Sequence, residues 1–156
     1  MQTMPFNLHP VVSSAPGALL AAVLVAEILF LWKGDARLQL VISVNLAFSA
    51  VAYLLAFFSG YQGMDLAEQS FKVSADLIDE HHTIGRIGLF LVWPTLVFQL
   101  LSVKAVENAA VIRVIYRAFL LALIGVTVYA SHLGGVLVFE HGAGVGAPLS
   151  SGKVAP

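Results

Sequence analysis

The chain has 156 residues, a mean hydropathy of +0.90 and only 11% charged residues, balanced to a net charge of −1. A soluble domain carries about twice that charged fraction, so an integral membrane protein is expected, with no length left over for a second domain and no nucleic-acid partner. Cysteine is absent, which excludes disulfides, iron–sulfur ligation and thiolate metal sites; any metal would rest on histidine, carboxylate or methionine.

Residues 1–15 form a lead-in with two prolines and no basic n-region, unlike a cleaved signal peptide. The first apolar segment covers about 16–32, with Pro16 placed where its missing N–H costs nothing, and stops at Lys33-Gly34-Asp35. The second covers about 38–59 and ends at Gly60. The connection 60–81 is polar, with Leu66, Val73 and Leu77 spaced like one face of a short interfacial helix. The third covers about 82–103, with a kink expected near Trp93-Pro94; Lys104 to Ala110 make a turn, and the fourth covers about 111–139. The tail 142–156 is rich in Gly, Ala, Pro and Ser and is not helical by itself. No internal repeat is visible. The expected fold is an all-α integral membrane protein, a four-transmembrane-helix bundle over 16–141 with helices mostly antiparallel and about 20° apart.

Charge sets the expected orientation. One side holds Lys33, Arg37, Lys104, Arg113 and Arg117 against Asp35 and Glu107. The other holds Lys72, Arg86 and Lys153 against Asp65, Glu68, Asp76, Asp79, Glu80 and Glu140. Positive residues gather on the cytoplasmic side, which puts both termini outside, N-out/C-out. A net-acidic outer face suits a basic soluble partner such as a small cytochrome, and is also what the positive-inside bias leaves behind.

All five histidines fall on the outward half: His9, His81, His82, His132 and His141. Intramembrane ionisable residues are costly, and a functional role is the default hypothesis. His132 lies roughly 22 Å above Arg117 along its helix, about 8 Å below the outer boundary of a hydrocarbon core of about 30 Å. His132 and His141 are about 13.5 Å and half a turn apart and cannot share one ion. His132 shares a face with Gly125, Val128, Gly135 and Phe139, which leaves room for a flat macrocycle or for close helix packing. Two histidines on facing helices of a bundle hold a b-type haem, so His132 with His82, or with His81, forms the expected axial pair. Arg86, one turn beyond His82, would meet a propionate, or else Glu80 or Asp79. The plainer alternative is a buried histidine bonded to a neighbouring carbonyl or hydroxyl. His9 and His141 read as interfacial.

A second polar group, Glu27, Asn45 and Gln99, lies at similar depth in the inner half. A carboxylate there needs partners, which Asn45 or Gln99 would supply, either as a proton-uptake or quinone-headgroup site or as interhelical glue. Glue is the favoured reading. Trp32, Tyr61 and Tyr116 read as interface anchors.

Three places carry a family resemblance: His9-Pro10 followed by Pro16; the pair His81-His82; and the run from His132-Leu133-Gly134-Gly135 through Phe139, His141-Gly142, Gly144 and Val145. On these residues the chain resembles the domain-of-unknown-function 2231 (DUF2231) family of small bacterial membrane proteins. Members occur fused to cytochrome c or Rieske-type domains, which implies a place in electron transfer, with haem as a candidate carrier. Where that family's opening pattern has a second histidine, this chain has Ser14; if that histidine ligates haem in relatives, this chain has lost it.

The functional expectation is therefore a multi-pass subunit of a respiratory-type electron-transfer complex in the bacterial inner membrane. It is an electron-transfer subunit rather than a stand-alone enzyme. It would hold haem b near the outer surface and exchange electrons with a periplasmic c-type cytochrome or a partner subunit. The alternatives are a cofactor-free structural or assembly subunit and, with less support from Met1, Met4 and Met64, a histidine-based copper or zinc protein.

Overall fold

The computed structural model describes residues 8–71, 73–104 and 108–143, with backbone alone at 62, 65, 66, 69 and 70. The first part of the lead-in (1–7), the side chain of Leu66, Lys72, the turn residues 105–107 and the tail 144–156 lie outside the described residues. A short helix α1 (His9–Val12) is followed by four long ones: α2 (Ala15–Lys33), α3 (Arg37–Phe71), α4 (Ala75–Lys104) and α5 (Ala109–Phe139). Four helices are long and apolar enough to cross a membrane. Consecutive helices pack on one another, α5 returns to α2, and α1 lies against α3.

The ends are set locally. Pro16 opens α2 within its first turn, and Gly34 closes it in the left-handed conformation (φ 67°), its N–H bonded to the Phe30 carbonyl at 2.9 Å. The Asp35 carboxylate then accepts the Arg37 N–H at 2.9 Å and starts α3. Asn108 supplies the left-handed residue before α5 (φ 60°).

Two segment boundaries differ from the sequence reading. The stretch 60–81 is not a loop carrying a separate interfacial helix: α3 continues to Phe71 and α4 begins at Ala75. At 1.5 Å per residue the 35 residues of α3 span about 50 Å, well beyond a hydrocarbon core of about 30 Å. The extension is held by a small cluster of Phe71, Val73 and Ile78, against which Met64, Ala67, Leu77, Leu137 and Ala143 pack. Helix α4 runs unbroken through Pro94.

The main core is a set of seams at three- and four-residue spacing: Leu20, Val23 and Ala26 on α2; Ile42, Leu46, Ala50 and Tyr53 on α3; Val92 on α4; Tyr116, Leu120 and Leu123 on α5. That period keeps one line of each helix on the bundle axis. Lipid is as apolar as these side chains, so the seams gain close packing rather than hydrophobic transfer.

Apart from the Ser49 hydroxyl, which is buried without a partner, the polar groups below are bonded within the bundle, and not as the sequence suggested. Glu27, 5% exposed, pairs with Arg117 Nε at 2.7 Å and accepts the Tyr116 hydroxyl at 3.4 Å. Neither Asn45 nor Gln99 is its partner: the Asn45 amide bonds the Val41 carbonyl at 2.9 Å, and Gln99 donates to Gln39 at 2.7 Å. Tyr116 is a core residue, not an interface anchor. Trp32 is exposed at the end of α2, where Lys33 lies over its ring, and Tyr61 is exposed within α3.

Candidate functional site

The start of α2, the α3–α4 junction and the end of α5 share one end of the bundle, here called the histidine end. Between them lies a chamber of about 550 Å³, within the range of small-molecule and cofactor sites. Its lining is mostly apolar, and among the described residues that line it none is Lys, Arg, Asp or Glu. Tyr53 and Thr127 are the deepest of its polar residues. The Thr127 hydroxyl donates to the Leu123 carbonyl at 2.6 Å, so its one proton is committed and Tyr53 donates to Thr127.

Three histidines line this space: His9, His81 and His82. The His9 ring reaches from α1 to α3, its Nδ1 2.9 Å from the Ala56 carbonyl and 3.2 Å from Ser59 Oγ. A carbonyl only accepts, so Nδ1 carries the proton. The ring lies over Gly60, where a Cβ would come within 2.9 Å of His9 Cε1. Gly60→Ala is therefore expected to push the His9 ring off α3 at a cost of about 1–3 kcal/mol, read as faster proteolysis within the α1 segment.

His81 stands 6.0 Å from His9, ring centre to ring centre, with planes 78° apart. Its other side packs on Gly134 of α5, where a Cβ would lie 3.3 Å from His81 Cε1. His81 Nδ1 is buried without a partner, and so is His82 Nε2. Buried polar atoms are seldom left unbonded, and two such atoms on neighbouring residues of one site call for an explanation. The His82 ring stacks on Phe57 at 4.7 Å and lies 5.9 Å from Tyr61.

The expected pairing of His82 with His132 across α4 and α5 is not formed. His132 is exposed and does not line the chamber. It does share a face with Gly125, Val128, Gly135 and Phe139, but most of that face points outward, with Val128 64% and Phe139 88% exposed; Gly135 and Phe139, at its end, edge the chamber. The inward line of α5 is Tyr116, Leu120, Leu123 and Thr127, continued by Gly134 against His81. Of the other expected site residues, His81, His82 and Gly135 line the chamber; Arg86 is exposed and does not. His141 is exposed. His9, read as interfacial, is the residue the sequence argument missed. Its signal was Gly60, a glycine inside a helical run, marking the close approach of a ring.

Among the described residues no group of three or more His, Asp or Glu converges as the ligands of one metal ion. No curated protein and no solved structure matches this chain. The family described as predicted membrane protein, DUF2231, matches it over residues 5–147. With four long apolar helices and a match over most of its length, the chain is a multi-span membrane protein that belongs to the DUF2231 family.

Proposed function

We propose that this chain is a subunit of an electron-transfer assembly in a bacterial inner membrane, and that the chamber at its histidine end holds a flat, lipophilic redox group. The observation that carries the reading is the meeting of three histidines from two segments in one apolar chamber, two of them with unpartnered buried nitrogens. In this reading the histidine end faces outward. The exposed carboxylates Asp76, Asp79, Glu80 and Glu140 at that end would meet a basic soluble partner such as a small c-type cytochrome.

A b-type haem is the first candidate, and the residues fit it poorly. In its favour, two imidazoles on one metal at bonds of about 2.0 Å place their ring centres about 6 Å apart, which is the His9–His81 spacing of 6.0 Å. Against it, no described lining residue is a cation able to meet two propionates, and Arg86 stands outside. The unpartnered nitrogen of His81 is Nδ1, which lies beside its own Cβ and is crowded for a porphyrin. No step is therefore routed through haem. The metal-ion alternative has less support still, since no three-ligand cluster forms among the described residues.

The test is purification from native membranes followed by reduced-minus-oxidised spectra in the visible and ultraviolet. About one redox-active group per chain is expected. Replacing Gly85 by phenylalanine should abolish it, because a Cβ there meets nothing within 4 Å and the ring would enter the chamber. His132→Ala should leave it intact. A preparation with no redox-active component would overturn the proposal in favour of a cofactor-free structural or assembly subunit. In that reading His9 is a packing residue tied to Ala56 and Ser59.

A further inference from the structure

We infer that the chamber takes a neutral ring bearing hydroxyl groups and an apolar tail, the hydroquinone head of a membrane quinol, with His81 and His82 hydrogen-bonding its hydroxyls. The inference rests on the reading of the chamber as a redox-ligand site, and it replaces haem by a second class of redox group.

Charge gives the first step. The described lining carries no formal charge other than what its histidines can acquire. A carboxylate, a phosphate headgroup or a porphyrin with two propionates would enter without a countercharge, at a high desolvation cost. A neutral ligand enters without that cost.

Hydrogen bonding gives the second. A neutral imidazole offers one N–H and one lone pair, and the tautomer sets which of them the unpartnered His81 Nδ1 presents. A quinol hydroxyl both donates and accepts and so satisfies either, whereas a quinone carbonyl satisfies only an N–H. His82 Nε2 is the second unpartnered site. Consecutive residues on a helix diverge by about 100°, so the two imidazoles cannot serve one oxygen side by side. They suit hydroxyls at opposite positions of a ring. Both nitrogens lie under neighbouring atoms, and each imidazole offers its own after a turn about its Cβ–Cγ bond.

Shape gives the third. Gly85, Gly134 and Gly135 leave the chamber flat-walled where α4 and α5 meet, and Phe57 presents an aromatic face beside His82. An apolar tail leaves such a ring at no cost into surrounding lipid.

The test uses the full chain in lipid nanodiscs, labelled with ¹⁵N-histidine, titrated anaerobically with decylubiquinol and separately with decylubiquinone. Saturable binding is expected, tighter for the quinol. The His81 and His82 resonances should move and those of His132 and His141 should not. His81→Ala and His82→Ala should each weaken binding about tenfold, as loss of one buried hydrogen bond does. Gly85→Phe should abolish binding without touching either histidine, which keeps the test decisive if a histidine variant fails to fold. Decylubiquinol partitioning equal to that of empty nanodiscs overturns the inference, as does a long-chain prenol that displaces the quinol with equal affinity. Added haemin that gives a His81-dependent Soret band undisturbed by decylubiquinol overturns the quinol while leaving the redox-ligand chamber standing. Binding of neither group overturns both.

Discussion

Replacing Glu27 by alanine is expected to cost roughly 2–3 kcal/mol of bundle stability, somewhat below the about 3–5 kcal/mol lost when a fully buried pair is broken. Arg117 Nε sits 2.7 Å from the carboxylate and Tyr116 donates to it, both from α5, whereas Glu27 is on α2. Without Glu27 the guanidinium loses its only described counter-charge while its stem stays in the bundle. The discount reflects its position: the Arg117 side chain is 32% exposed and can turn toward the membrane surface. Helices α2 and α5 otherwise touch little, so this pair closes the ring of four. The decisive comparison is the double variant Glu27→Leu with Arg117→Leu, which removes both charges and lets apolar side chains fill the gap. It should recover most of the loss, measured by denaturation in mixed micelles, because a matched apolar pair often replaces a buried ion pair without penalty. A double variant as unstable as Glu27→Ala would show that the Tyr116 bond, not the charge pair, holds the helices.

The same region shows what a membrane sequence reveals and what it hides. Four apolar runs were legible, because length and hydropathy report the bilayer directly, and Lys33-Gly34-Asp35 ends a helix where it reads as ending one. Helix rotation was not legible. In a soluble helix the polar face points outward, but in lipid both faces are apolar, so periodicity grouped Gly125, Val128, His132, Gly135 and Phe139 and gave no means of choosing inside from outside: His132 is exposed while Gly135 edges the chamber. Polarity misled in the other direction at 60–81. Charged residues there read as a loop, yet the helix continues because Met64, Ala67 and Phe71 dock on Val73, Ile78 and Leu137. Glu27 was recognised as needing a partner, but depth alone could not separate Arg117 from Asn45 and Gln99. The chamber combines these cases. His81 and His82 were identifiable as residues, while His9 enters only through tertiary packing over Gly60.

Gly88 ties the core to that chamber, and Gly88→Ala is expected to disturb both. A Cβ at Gly88 would stand 2.6 Å from Tyr53 Cε1, 2.9 Å from its hydroxyl and 3.0 Å from Cζ. A free ring would swing aside, but Tyr53 is held: its hydroxyl donates to Thr127, and Thr127 is bonded in turn to the Leu123 carbonyl. The ring is also buried in the main cluster among Ala50, Val92 and Leu123. Overpacking a site with so little freedom costs about 1–3 kcal/mol, and a larger residue such as leucine should prevent assembly of the bundle. Tyr53→Phe alone should cost about 1 kcal/mol for the lost hydrogen bond. Combined with Gly88→Ala it should cost less than the sum, because removing the hydroxyl frees the ring to withdraw; a coupling of about 0.5–3 kcal/mol is the scale for groups in contact. Additive losses would mean that the anchor does not restrain the ring. Tyr53 and Thr127 also line the chamber, so the ring displaced by Gly88→Ala has that space to move into. The single variant should therefore lose ligand binding along with stability, and the double variant should regain stability before it regains binding, since its ring still projects where the ligand would lie.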